Sequence, residues 1–160
     1  LHPSLQNNQF EIHPLAEDVG VKINGTDLIQ MLLNLTVNAF QASAQPHGVD
    51  IAGEVLREPL DLTQFKDGPG TRLLNIENFQ NSAPLVRLSV SDNGPGIPPE
   101  VLPKIFQAYF TTKDARQGTG LGLNIVQRLV QEAGGALQVV TQPGVGTAFH
   151  VFLPGAPVAS

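Results

Sequence analysis

The chain has 160 residues, a formal net charge of −5 and no cysteine. That length suits one domain with a proper core. The acidic balance, without a cluster of Lys and Arg, leaves no electrostatic footprint for nucleic acid, and the missing thiols exclude a disulfide framework or a thiolate metal site, which fits a reducing compartment. No apolar run approaches the roughly 18–20 residues of a membrane span, and Leu1-His-Pro-Ser opens no leader peptide. The chain does not begin with Met and reads as an excised fragment, with no membrane contact expected from this segment.

Residues 9–14 and 19–23 alternate as two short strands. Thr26 or Asn24 then caps a helix, with Asp27 in its first turn. That helix runs to about residue 43, with Leu28, Leu32, Leu35, Ala39 and Ala42 as its apolar stripe. Gln45-Pro-His-Gly ends it. Residues 49–56 read as a strand. Residues 57–83 carry Pro59, Gly68-Pro-Gly70 and amide-rich patches with poor periodicity, and read as a long loop or hairpin insertion.

Residues 85–91 alternate, with Val86, Leu88 and Val90 on one face. Asp92 falls in the same phase and should point inward at the strand's end. A short helix starts near Pro99, and residues 110–119 are polar and contain a glycine, Gly118. A second helix runs over residues 120–133, with Leu121, Ile125, Leu129 and Ala133 on one stripe and Gly134-Gly135 as its stop. Residues 136–141 and 147–153 form a hairpin around Pro143-Gly-Val-Gly146, and Pro154 onward reads as a tail. Tight turns between the final strands predict a mixed, mostly antiparallel sheet. With the helices on one face, that is an α/β (α+β) two-layer sandwich rather than a doubly wound sheet.

Three pieces carry chemistry. Asn34, Asn38 and Gln41 stand at i, i+4 and i+7 on one helix edge, where amide oxygens suit Mg²⁺; alone, the pattern equally describes a solvated face. Asp92-Asn-Gly-Pro-Gly-Ile97 ends a strand in a carboxylate. Buried, it needs a donor such as an adenine amino group, and Gly94 and Gly96 let backbone approach a base; alone, it is also a common Asp-Asn-Gly turn. Gly118-Thr-Gly-Leu-Gly-Leu123 opens a helix whose free N–H groups favour phosphate. It is neither a P-loop nor a dinucleotide fingerprint, and alone it also reads as a hinge. Phe106 and Phe110 could wall a pocket and Lys113 could reach a phosphate, or the rings belong to the core and the lysine to the surface. The four histidines are scattered, with no metal-ligand spacing.

Taken together, these motifs in this order resemble the catalytic ATP-binding domain of two-component sensor histidine kinases, within the superfamily shared with DNA gyrase, Hsp90 and MutL. Leu32-Leu-Asn-Leu-Thr-Val-Asn-Ala-Phe-Gln-Ala42 resembles the N box, Asp92–Ile97 the G1 box, Phe106-Gln-Ala-Tyr-Phe-Thr-Thr-Lys113 the F box and Gly118–Leu123 the G2 box. Gly146-Thr147 resembles the closing Gly-Thr, and the wording is similar to the nitrogen-sensing subgroup. The resemblance covers roughly residues 9–154 and implies the Bergerat fold. It implies that Asn38 ligates Mg²⁺ with Asn34 supporting it and Gln41 nearby. Asp92 would accept from adenine, with Thr147 behind it and Gly94, Gly96, Ile97 and Phe106 around the base. Lys113 and the run Gly118, Thr119, Gly120, Leu121, Gly122 and Leu123 would face the phosphates, and residues 110–119 would be the ATP lid.

The resemblance further implies a cytoplasmic domain of a homodimeric parent, soluble or anchored to the inner membrane. Its partners would be its own dimerisation domain, which carries the phosphoacceptor histidine and is expected before Leu1, and a response regulator receiver domain. Tyr109 stands where phenylalanine is usual, Gln41 where many members carry a basic residue, and residues 57–83 look inserted. Gyrase and Hsp90 relatives place a glutamate base where this chain has Asn34. An amide cannot take a proton from water, which favours phosphoryl transfer over an ATP-driven conformational machine. A nucleotide-binding module without catalysis and a serine kinase of the anti-sigma type are the other readings.

Overall fold

The computed structural model describes residues 9–13, 19–107 and 122–157. Its elements in chain order are β1 (Gln9–His13), β2 (Val19–Val21), α1 (Gly25–Phe40), β3 (Gly48–Leu56), β4 (Thr71–Leu74), β5 (Leu85–Asp92), α2 (Gly122–Glu132), β6 (Ala136–Gln142) and β7 (Gly146–Pro157). Short 3₁₀ turns sit at Leu62–Gln64, Ile76–Asn78 and Leu102–Lys104. The strands form one sheet in the order β1-β3-β5-β7-β6-β4, and β2 pairs with the far end of β7. Only β1 and β3 run parallel among the pairs described. The expected two-layer sandwich of mixed, mostly antiparallel sheet and one-sided helices is what the structure has.

Helix α1 starts because Asn24 sits in extended conformation and its Oδ1 accepts from Thr26 N at 2.7 Å and Asp27 N at 3.4 Å. This satisfies two N–H groups that a helix start leaves open. The seat of α1 on the sheet is centred on Met31, Leu35 and Ala39, all buried. The predicted stripe is therefore turned by about one residue. Leu28 and Leu32 flank the core half-buried, because the contact line follows the i, i+4, i+8 ridge through Met31. Gln41 N closes on Val37 O at 2.9 Å and the helix stops at Phe40, short of the expected end.

Helix α2 buries Val126, Leu129 and Val130. It ends in a paired-bond cap. Gly134 adopts φ +73°, its N–H bonds Gln131 O at 3.1 Å, and Gly135 N bonds Val130 O at 3.0 Å. That geometry needs a left-handed residue at the first position beyond the helix, hence glycine. Both helices cover the face that carries Val49, Val90, Leu137, Val139, Phe149, Val151 and Leu153.

Further expectations are corrected, among them the short helix expected from Pro99, which is only the 3₁₀ turn Leu102–Lys104. Residues 57–83, expected as a long loop or hairpin insertion, hold a strand of the main sheet: β4 forms the sheet edge beside β6, with Thr71 opposite Val140 and Leu74 opposite Leu137. The rest of the segment closes on itself through Asn81, whose amide both accepts from Leu60 N and donates to Leu60 O at 2.8 Å. Phe65 stands edge-on to Phe152 at 6.1 Å on the face away from the helices. Strand β7, expected to end at residue 153, continues to Pro157 because β2 pairs with it, Val21 opposite Gly155. Pro154 is tolerated there through its carbonyl, which accepts from Lys22 N at 3.0 Å. No helix among the described residues is long and apolar enough to cross a membrane.

On that same outer face Ser89 and His150 are cross-strand partners, with Ser89 Oγ 2.7 Å from His150 Nδ1. Burial first, and then the Arg87 charge, hold His150 below the ordinary value of 6.5. The folded state therefore binds fewer protons than the unfolded chain once pH falls under 6.5, and stability falls with pH through that range. The thermal midpoint should be level above pH 6.5 and decline below it until pH passes the lowered folded value. His150→Gln should flatten that part of the decline, as read by thermal unfolding across a pH series.

Candidate nucleotide site

The site begins where β5 ends. Val90 opposes Phe149 in the core, and two residues on Asp92 opposes Thr147. Alternation along both strands gives Asp92 and Thr147 the helix side of the sheet. Asp92 is half-buried, and its Oδ1 accepts from Gly94 N at 2.9 Å, so the turn itself orients the carboxylate. Asn93 pins the same turn to β3: its Oδ1 accepts from Gly48 N at 2.5 Å and its N–H donates to Gly48 O at 3.1 Å.

The loop over residues 92–97 lies hard against the β6–β7 turn. A Cβ on Gly146 would stand 2.1 Å from Asp92 O, and one on Gly96 2.4 Å from Gln142 O. Gly96 also has φ +78° and Gly146 φ +149°, conformations that L side chains rarely adopt. The β6–β7 turn has Pro143 followed by Gly144 at φ +80°, with Val145 N bonded to Gln142 O at 3.0 Å, which is type II geometry.

Thr141 joins these parts and was not singled out from the sequence. Its Oγ1 accepts from Ile97 N at 2.8 Å, lies 2.8 Å from Thr147 Oγ1 and 3.2 Å from Gly146 O. Thr141 and Thr147 are the buried polar side chains among the described residues. A signal for Thr141 existed: it shares the phase of Leu137 and Val139 and is the polar residue in an otherwise apolar row.

Helix α1 supplies Asn34 and Asn38 one turn apart and Gln41 at its C-cap. Asn34 Oδ1 accepts from Gln30 Nε2 at 3.0 Å, and its Nδ2 reaches Gly122 O at 3.4 Å. Asn34 thus ties α1 to the first residue of α2. A Cβ on Gly122 would meet nothing within 4 Å, and Gly122 is the first described residue of α2, where helix N–H groups favour anions. Phe106 stands edge-on to Phe149 at 6.4 Å, and its carbonyl accepts from Asn124 Nδ2 at 3.2 Å. Leu123 and Ile97 border the core half-buried. His47, a second residue missed in the sequence, places Nε2 2.7 Å from Ala39 O and Nδ1 2.9 Å from Gln45 O, beside Gly94.

The structure therefore brings together Asp92, Gly94, Gly96, Ile97 and Thr147 in one wall and links Asn34 with Gly122 in another. Tyr109, Lys113, Gly118, Thr119, Gly120 and Leu121, and the lid expected over 110–119, lie outside the described residues. The donor set suits a nucleotide: a carboxylate and a hydroxyl at a sheet end, an amide-bearing helix edge, and a helix N-terminus. Among the described residues no three His, Cys, Asp or Glu side chains gather to hold a metal. A divalent ion at this helix edge would take amide oxygen from the protein, with water and phosphate filling the other positions, as suits an ion that keeps several waters.

Residues 23–157 match the family of histidine kinase-, DNA gyrase B-, and HSP90-like ATPases. Sensor histidine kinase ZraS of Escherichia coli (strain K12) is 39% identical over 127 residues, which are 79% of this chain and 21% of ZraS. The chain thus spans about a fifth of that relative's length. The catalytic domain of histidine kinase ThkA superposes with a TM-score of 0.65 at 28% identity, covering 92% of this chain and 79% of ThkA's. Full-length ShkA in complex with AMPPNP has a TM-score of 0.65 at 29% identity, covering 99% of this chain and 28% of ShkA's.

The packing of Gly146 against Asp92 generates a prediction. Gly146→Ala should lower the unfolding free energy by roughly 1–3 kcal/mol through backbone strain and overpacking, read by denaturant titration. It should also displace the Asp92 turn, seen as amide shifts confined to residues 92–97 and 141–147.

Proposed function

The chain belongs to the histidine kinase-, DNA gyrase B-, and HSP90-like ATPase family, as an ATP-binding catalytic domain of the sensor histidine kinase type, and on that premise we propose how it works. The domain holds ATP with Mg²⁺ and presents the γ-phosphate to a histidine on a dimerisation domain of its own parent, for relay to a response regulator. Bound ATP supplies the phosphoryl group; the protein's work is binding, orientation and charge stabilisation.

Asp92 accepts from the exocyclic amine of the base, oriented for this by Gly94 N–H. Thr147 stands behind it as its cross-strand partner. Gly94, Gly96 and Ile97 form the wall along the base, with Phe106 further along. Asn38 offers its amide oxygen to Mg²⁺, and Gln41 lies at the same end of α1. Asn34 keeps α1 and the phosphate-facing end of α2 together through Gly122. Gly122, Leu123 and the preceding Gly118, Thr119, Gly120 and Leu121 offer backbone to the phosphates, with Lys113 as a point charge.

Asn34 also supports transfer rather than hydrolysis, because an amide has no basic site to take a proton from water. The parent is a homodimer with this domain on the cytoplasmic side, where ATP is available. The single observation that carries the reading is the Asp92 carboxylate, oriented at the end of β5 beside the buried Thr147 hydroxyl.

Calorimetric titration of the chain with AMPPNP, with and without Mg²⁺, tests it. Adenine-selective binding that Mg²⁺ strengthens is expected, and absence of binding refutes the reading. Asp92→Asn should weaken binding by about 1–3 kcal/mol, the cost of mispairing a buried group. Asn38→Ala should remove the Mg²⁺ dependence while the chain still folds, as judged by thermal unfolding; unchanged Mg²⁺ dependence would refute the metal assignment alone.

A further inference from the structure

We infer that Thr141 is a positioning residue for base recognition: its hydroxyl sets the sense of the Thr147 hydroxyl and makes Thr147 an acceptor toward the base. The inference rests on the reading of Asp92 and Thr147 as the base-facing pair and goes one step behind it.

Three polar atoms lie within hydrogen-bond distance of Thr141 Oγ1: Ile97 N at 2.8 Å, Thr147 Oγ1 at 2.8 Å and Gly146 O at 3.2 Å. A hydroxyl has one proton and two lone pairs. Ile97 N–H can only donate, and the Gly146 carbonyl can only accept. All three contacts are satisfied together in one arrangement alone, in which Thr147 donates to Thr141 and Thr141 donates to Gly146 O. The opposite sense spends the Thr141 proton on Thr147 and leaves its lone pair facing the Gly146 carbonyl. Thr141 is 6% exposed and Thr147 7%, so bulk water does not repair the wrong sense, and a lost partner carries its desolvation cost.

With its proton committed to Thr141, Thr147 Oγ1 has only lone pairs left for a ligand. Its cross-strand partner Asp92, when ionised, is also only an acceptor. Two neighbouring acceptors suit a nucleobase edge that presents an amino group, directly or through a water that donates to Thr147. A 6-oxo edge would set lone pairs against lone pairs there. Thr141 is itself held from behind, since its N–H donates to Gly70 O at 2.8 Å in the segment that leads into β4. The group that sets the sense of the pair is therefore anchored by elements on both sides of the sheet edge.

The test is calorimetric titration of the chain with AMPPNP and with GMPPNP. Thr141→Val removes the hydroxyl at nearly constant volume, and Thr141→Ser keeps it. Thr147→Val and the Thr141→Val/Thr147→Val double variant complete a cycle. Thr141→Val is expected to lower AMPPNP affinity about tenfold, the size of one misdirected hydrogen bond, and to narrow the preference for AMPPNP over GMPPNP. Thr141→Ser should restore both. Added to Thr147→Val, the Thr141→Val change should cost clearly less than it does alone, because its action on the base runs through Thr147 and only the Ile97 and Gly146 contacts remain to be lost.

Wild-type affinity and preference in Thr141→Val would overturn the inference. So would a Thr141→Ser variant as weak as Thr141→Val, or full additivity in the double variant. If Thr141→Val does not fold, judged by thermal unfolding, Thr141→Ala takes its place in the same comparison. A wild-type chain that shows no preference for AMPPNP overturns the base-facing pair and this inference with it, an outcome seen before any variant is made.

Discussion

The antiparallel pairing of β5 with β7 governs both the core and the site. Along it Val86 opposes Leu153, Leu88 opposes Val151 and Val90 opposes Phe149, and the row ends with Asp92 opposite Thr147. Side chains alternate with period two, so a slip of one residue would carry the whole row to the other face. Val90, Phe149, Val151 and Leu153 of this row are buried in the core cluster with residues of α1 and α2, and Leu88 packs against it, which makes such a slip costly. The hydrophobic drive that seats the helices therefore also aims the carboxylate. The two glycines at the end of the row, Gly94 and Gly146, keep it compact, because a side chain on either would press on Asp92 itself.

Much of this arrangement was legible in the sequence. The phase of Asp92 followed from Val86, Leu88 and Val90, and Thr147 shares the alternation of Phe149, Val151 and Leu153 along β7. The start of α1 was readable to within Thr26 or Asn24, of which Asn24 is the cap, and the glycine stop after α2 and the Pro143-Gly turn were readable because each depends on local backbone chemistry. What depended on distant partners was not readable. Met31, not Leu28 or Leu32, faces the sheet because the tilt of α1 is set by what it lies on. Thr-Arg-Leu-Leu at 71–74 shows no alternation, and only its pairing with β6 makes it a strand. Pro154 argued for a strand end, yet β2 supplies a donor to its carbonyl from outside the hairpin. Thr141 stood out as polar in an apolar row, but its three contacts come from two loops far apart in sequence.

The segment over residues 57–83 gains a structural role from these contacts. It extends the sheet past β6, covers Phe152 with Phe65, and reaches α2 through Asn75 Nδ2 to Gln127 O at 3.0 Å and Gln80 N to Gly134 O at 2.8 Å. It therefore braces the end of α2 remote from Gly122 while Gly70 braces the back of Thr141. Changes within it would be felt at both helix and sheet before they reached Asp92.

The position of β7 in the sheet has a kinetic consequence. This strand lies between β5 and β6 and also receives β2, although it follows all three in the chain. During synthesis, β3 and β5 can pair as they emerge, but their inner edge stays open until β7 arrives. Contacts of long sequence separation close last and slowly, and an open strand edge is a template for wrong partners. The inner edge of β5 is therefore the place where a nascent chain is most exposed to misassembly. The Asp92–Thr147 pair, which needs both strands, is among the last contacts of the domain to form.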